Sequence, residues 1–91
     1  MKSTQGTWIK DSNKHGGVSY ECRVDTFVLS VTNRHIDYPG QWLASCYPLF
    51  SHWILDMPGR DEFAEDAQEA VLQMTIESLE ATANTMRGIL L

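Results

Sequence analysis

The chain has 91 residues, 43% of them hydrophobic and 10% aromatic, and a net charge of −5, which is enough for one domain over a single core and too little for two. No apolar run approaches the roughly 20 residues that span a bilayer, and the composition is that of a globular chain, not a disordered one. The acidic balance argues against non-specific affinity for nucleic acid or anionic membrane, which needs clustered Lys and Arg.

The charge is unevenly spread. Residues 1–55 carry five cations against four acids, whereas residues 56–91 carry Arg60 and Arg87 against eight acids. The amino-terminal MKSTQGTW lacks the apolar core of a signal peptide, so the cytoplasm is the expected location.

Thr7 to Asp11 predicts a short strand. The run from Ser12 to Gly17, with Asn13 and two glycines, suits the positive φ angles of a hairpin turn. Val18, Tyr20, Cys22 and Val24 then alternate with Ser19, Glu21, Arg23 and Asp25, the period of two that buries one face of a strand. Asp25-Thr26 reads as a tight turn. Phe27, Leu29 and Val31 alternate with Val28, Ser30 and Thr32 in a third strand. Asn33 to Gln41, holding Asp37, Pro39 and Gly40, predicts a longer loop. Trp42, Ala44 and Cys46 mark a fourth strand, Pro48 an edge, a bend or a split between two strands, and His52 to Met57 a return to extended chain.

Pro58-Gly59 breaks the pattern, Asp61 stands where a helix cap belongs, and Glu62, Glu65 and Asp66 suit the positive end of a helix dipole. A helix is expected over 61–90, with Gly88 a possible stop. At about 100° per residue, Leu72, Ile76, Leu79, Ala83, Met86 and Leu90 share one band, expected to lie on the sheet. Glu62, Asp66, Glu69, Gln73, Glu77, Glu80 and Asn84 form an acidic band roughly a right angle away. Phe63, Ala67, Ala70, Met74 and Ala81 make a thinner stripe opposite the greasy one, expected to be half exposed.

The elements assemble into a single α+β domain over 1–91: an antiparallel sheet of four to five strands within 7–57, paired in sequence order as a meander, against one long carboxy-terminal helix in two layers. Ile9, Val28, Leu43, Tyr47 and Ile54 are expected on the sheet face away from the helix, which a partner or a second copy would then cover.

Motifs for catalysis or cofactor binding are missing. There is no GxGxxG, P-loop or GxSxG run. His15, His35, His52, Cys22 and Cys46 hold the right atoms for zinc but at no recognised ligand spacing, and Cys46 with His52 carries no sign of an oxyanion device. Both cysteines lie in strand runs and read as small buried hydrophobes. No cofactor, no metal and no enzymatic activity are expected. Trp8, Tyr20, Tyr38, Trp42, Tyr47 and Trp53 offer rings on which bases could stack, but the basic and glycine residues that accompany such platforms are missing.

The pattern of strands from Val18 to Val31 followed by the acidic EFAEDAQEAVLQM run beginning at Glu62 resembles the small phage-encoded inhibitors of the anti-CRISPR type, and also the small antitoxins that neutralise basic ribonucleases. The first resemblance implies a non-enzymatic protein that occupies a basic surface of a host ribonucleoprotein complex where DNA or RNA would lie. The expected contact residues are Glu62, Asp66, Glu69, Glu77 and Glu80 on the helix, which imitate a nucleic-acid backbone, with Trp42 and Tyr47 on a sheet edge. Two alternatives stand beside it. One is a nucleic-acid-binding domain using the sheet aromatics. The other is a homodimeric accessory protein whose seam is the outer sheet face or the Phe63/Ala67/Ala70/Met74 stripe.

Overall fold

The computed structural model describes residues 6–12 and 16–90. Five strands, β1 (Ile9–Ser12), β2 (Val18–Val24), β3 (Phe27–His35), β4 (Tyr38–Tyr47) and β5 (Phe50–Pro58), pair antiparallel in sequence order. A single 3₁₀ turn, Asp61–Phe63, leads into one helix, α1 (Ala64–Leu90), and the expected meander under a long terminal helix is what the chain forms. Residues 13–15 of the expected first turn lie outside the described residues.

Register follows from alternation. Val31 stands between Tyr20 and Ala44, and Leu29 between Cys22 and Cys46, so one face of the sheet collects Cys22, Leu29, Val31, Trp42, Ala44, Cys46 and Leu55, all buried. Ala64, Ala67 and Val71 of α1 close this core from above. Both cysteines are free and buried within it. Burial pushes the Cys22 thiol above its ordinary value of 9.0, against a smaller downward pull from the Gly6 backbone N–H.

The expected loop over 33–41 does not exist. β3 continues to His35 and β4 starts at Tyr38, leaving Ile36-Asp37 as the turn. Arg34 at φ 54 and Gly40 at φ 77 are left-handed residues in facing strands, next to a shift in register between Asn33 and His35. Residues that look like loop formers are thus absorbed as irregularity within the ladder. The His35 ring lies 5.7 Å from that of Tyr38 and 5.6 Å from that of His52, which brings the hairpin tip against β5. Pro48 does split one apolar run into two strands: the Tyr47–Pro48 peptide is cis, and the Leu49 N–H closes the turn on the Cys46 carbonyl at 2.6 Å.

Asn33 is the hinge pin between sheet and helix. It is fully buried; its Oδ1 accepts the Val18 N–H at 2.7 Å, and its Nδ2 donates to the Gly59 carbonyl at 3.0 Å and to Asp61 Oδ1 at 2.8 Å. The Trp42 indole N–H donates to the Arg60 carbonyl at 3.0 Å. These bonds fix the 59–61 segment against β2, β3 and β4, and with it the point where the helix starts. Gly59 has no room for a side chain, since a Cβ there would lie 2.6 Å from the Gln41 nitrogen. Asp61 therefore serves as an acceptor for Asn33, not as the expected helix cap; Arg60 takes the cap position without a side-chain bond.

The helix meets the sheet on a different face from the one expected. Its buried residues are Ala64, Ala67, Val71 and Thr75, with Phe63, Ala70 and Met74 half-buried beside them. Ile76, Leu79, Met86 and Leu90, expected on the sheet, are exposed. Size decides this. The sheet supplies the bulk in Trp42, Leu29 and Val31, so close packing calls for small residues from the helix, and an Ala/Val/Thr face lets the two layers approach where a Leu/Ile face would hold them apart. Gly88 does not stop the helix, which runs through it to Leu90.

Candidate functional site

Rotation of the helix moves the acids as well. At about 100° per residue the band of Glu62, Asp66, Glu69, Glu77 and Glu80 lies roughly opposite the buried Ala64/Ala67/Val71/Thr75 face, and all five are exposed. They crown the helix layer and point directly away from the sheet.

Neutralisation within the chain is slight. Glu62 Oε1 pairs with Arg60 Nε at 2.9 Å, but both side chains are about two-thirds exposed, at 64% and 66%, and a pair of that kind contributes little. The Arg60 guanidinium also sits 5.3 Å above the Phe63 ring. Glu77 Oε1 accepts from Gln73 Nε2 at 3.1 Å, which holds the carboxylate in place and leaves its charge intact. Among the described residues, Asp66, Glu69 and Glu80 have no ion pair. Arg87, the one cation of α1, is held by the Asn84 side chain at 2.7 Å, at the far end of the helix.

The aromatic half of the expected site is not where the acids are. Trp42 is fully buried beneath the helix, its indole nitrogen bonded to Arg60, so it presents no ring to a partner. Tyr47 is 71% exposed, but its place in β4, one residue on from buried Cys46, puts it on the sheet face away from α1. A flat partner surface touching the helix acids does not reach it.

The ring that does accompany the acids is Trp53. It pairs with Ala44 across β4 and β5, shares the helix side of the sheet, is 58% exposed, and lines a groove with Leu49, Phe50, Met74, Glu77 and Ser78. Its side of the sheet follows from Ile54, the neighbour expected on the outer face; the left-handed His52 at φ 52 breaks the alternation just before it, so that Trp53 and Leu55 both turn toward the helix.

The residues expected on the outer sheet face lie there, Val28 opposite Tyr47, Leu43 opposite Ile54 and Ile9 opposite Glu21, and polar residues share the face with them. Leu43 is buried and Val28 half-buried, while exposed Ile9 and Ile54 sit in β1 and β5 at opposite edges of the sheet. Between them run Glu21, Ser30 and Ser45 in register. The Phe63/Ala67/Ala70/Met74 stripe is likewise taken up, packed into or against the core.

Among the described residues, no group of three or more His, Cys, Asp or Glu side chains is placed to hold a metal ion, and no helix is long and apolar enough to cross a membrane. No family model matches the chain, and no curated protein or solved structure matches it either.

Proposed function

We propose that the protein is a non-enzymatic inhibitor of the anti-CRISPR type, which lays its acidic helix face onto a basic surface of a host-defence ribonucleoprotein complex, in the cytoplasm of the host cell, and so excludes the nucleic acid that surface would bind. The observation that carries this reading is the placement of Asp66, Glu69, Glu77 and Glu80: exposed, in line along one helix, opposite the face that packs on the sheet, and without an ion pair among the described residues. A row of carboxylates of this kind competes with phosphates for Arg and Lys, and association steered by it weakens as salt shortens the Debye length below about 10 Å. Trp53 beside Glu77 adds an aromatic anchor of the sort that carries interface energy. The mechanism is steric and electrostatic, and it calls for no cofactor.

The test is target-DNA binding by purified RNA-guided surveillance complexes with and without the protein. Inhibition of at least one complex is expected, lost when Glu69, Glu77 and Glu80 are reversed to Lys with circular dichroism unchanged. Inhibition that survives the reversal removes the acidic face from the mechanism. A gel shift of single-stranded RNA or DNA by the protein alone would favour the nucleic-acid-binding alternative instead.

A further inference from the structure

The most apolar band of α1 is the one the fold leaves uncovered. Leu72, Ile76, Leu79, Ala83, Met86 and Leu90 follow at alternating spacings of four and three residues, the heptad rhythm of a coiled-coil seam. Leu72 reaches the edge of the core, but Ile76, Leu79, Met86 and Leu90 are 49%, 38%, 60% and 86% exposed. From Leu79 onward every residue of the helix except Ala83 is exposed. A helical segment of about 12 residues with nothing packed on it is marginal in water.

We propose that this seam is closed by a second copy of the chain, forming a parallel two-stranded coiled coil over residues 72–90. Four observations favour that occupant. The band is self-complementary, with Leu72, Leu79 and Met86 in one seam position and Ile76, Ala83 and Leu90 in the other; Ile76, its one β-branched residue, stands between Leu72 and Leu79 in the order that suits two parallel strands. The flanks carry no like-charge clash, since parallel pairing sets Arg87 against Thr82 of the second copy and keeps the two Glu80 side chains on opposite sides of the pair, whereas an antiparallel pairing centred on the same stretch sets the two Glu80 side chains together. The exposed apolar surface is continuous, because Ile76, Leu79, Met86 and Leu90, 38–86% exposed, lie along one line of the helix, as a seam between two helices requires. Finally, a helix lying on a lipid surface carries Lys and Arg beside its apolar stripe, and Arg87 is the only cation in α1. Glu69, one step before Leu72 in the seam, ends it where the sheet layer begins. The inference does not rest on the inhibitor reading: it leaves Asp66 and Glu77 of each copy facing outward, on opposite sides of the pair, with Glu80 beside the seam.

Sedimentation equilibrium of the purified chain tests it. A dimer is expected at tens of micromolar, converted to monomer by Ile76→Glu with Leu79→Glu while circular dichroism of the sheet is kept. Leu79→Cys should form an interchain disulfide under mild oxidation, because in a parallel seam that position meets itself, and the native Cys22 and Cys46 are buried. A monomeric wild-type chain, a dimer that survives the double substitution, or a Leu79→Cys chain that does not cross-link overturns the proposal. Should the double variant unfold, the cross-link decides.

Discussion

Replacing Asn33 by Ala strips one buried side chain of three bonds at once, and the structure sets the size of the loss. The Val18 N–H, in a residue 8% exposed, loses its acceptor, and stranding a buried donor costs about 1–3 kcal/mol. Asp61 loses a bond to a carboxylate, a class that contributes about 1.5–3 kcal/mol, and the Gly59 carbonyl loses its donor. The terms share one side chain and do not simply add, so about 3–4 kcal/mol is the expected total. For a domain of this size that is a drop in Tm of about 15–25 °C, a large share of a stability of roughly 5–10 kcal/mol. Urea unfolding followed by tryptophan fluorescence and circular dichroism measures it. Asn33→Asp separates bonding from packing: it keeps the shape and the acceptor for Val18, removes the donor, and faces one carboxylate with another. It should be at least as damaging at neutral pH and regain stability as the pH falls and the new carboxyl takes up a proton. A loss below about 1 kcal/mol for Asn33→Ala would refute the idea that this residue fastens the helix start to the sheet.

Two further outcomes test the packing. Ala67→Leu, at a position with no exposed surface, should cost about 1–3 kcal/mol by forcing helix and sheet apart, whereas Ala81→Leu, exposed on α1, should stay within about 0.5 kcal/mol; equal effects in thermal melts would mean the wrong face has been assigned. The Cys22 thiol, pushed up by burial, should react with a disulfide reagent far more slowly in the native protein than in urea. Its contribution to stability is whole below the unfolded thiol value and falls away as the pH rises through the higher folded one, so alkaline unfolding should be milder in Cys22→Ala than in the parent, once each is referred to its own stability near pH 7.

Much of this was legible in the residues. Alternation from Val18 to Val31 gives the central strands and their inward residues, because a period of two admits no other arrangement once one face is buried, and the 61–90 run gives the helix and the line of its acids. Other features were set by contacts between distant parts of the chain. Asn33, Asp37, Pro39 and Gly40 look like a loop, yet Arg34 and Gly40 take left-handed angles in facing strands and Asn33 is buried as a connector, which depends on Val18, Gly59 and Asp61 arriving beside it. Trp53 came to the acids because β5 and the middle of the helix meet at Met74 and Glu77, a contact that no local pattern records. The face of the helix that packs was also beyond reach of its own periodicity. Hydrophobic spacing ranks faces by greasiness, but a two-layer core selects by volume: against Trp42, Leu29 and Val31 the fitting complement is Ala64, Ala67 and Val71. The larger side chains at Ile76, Leu79 and Met86 are left outside, and the acidic band is turned to face straight out.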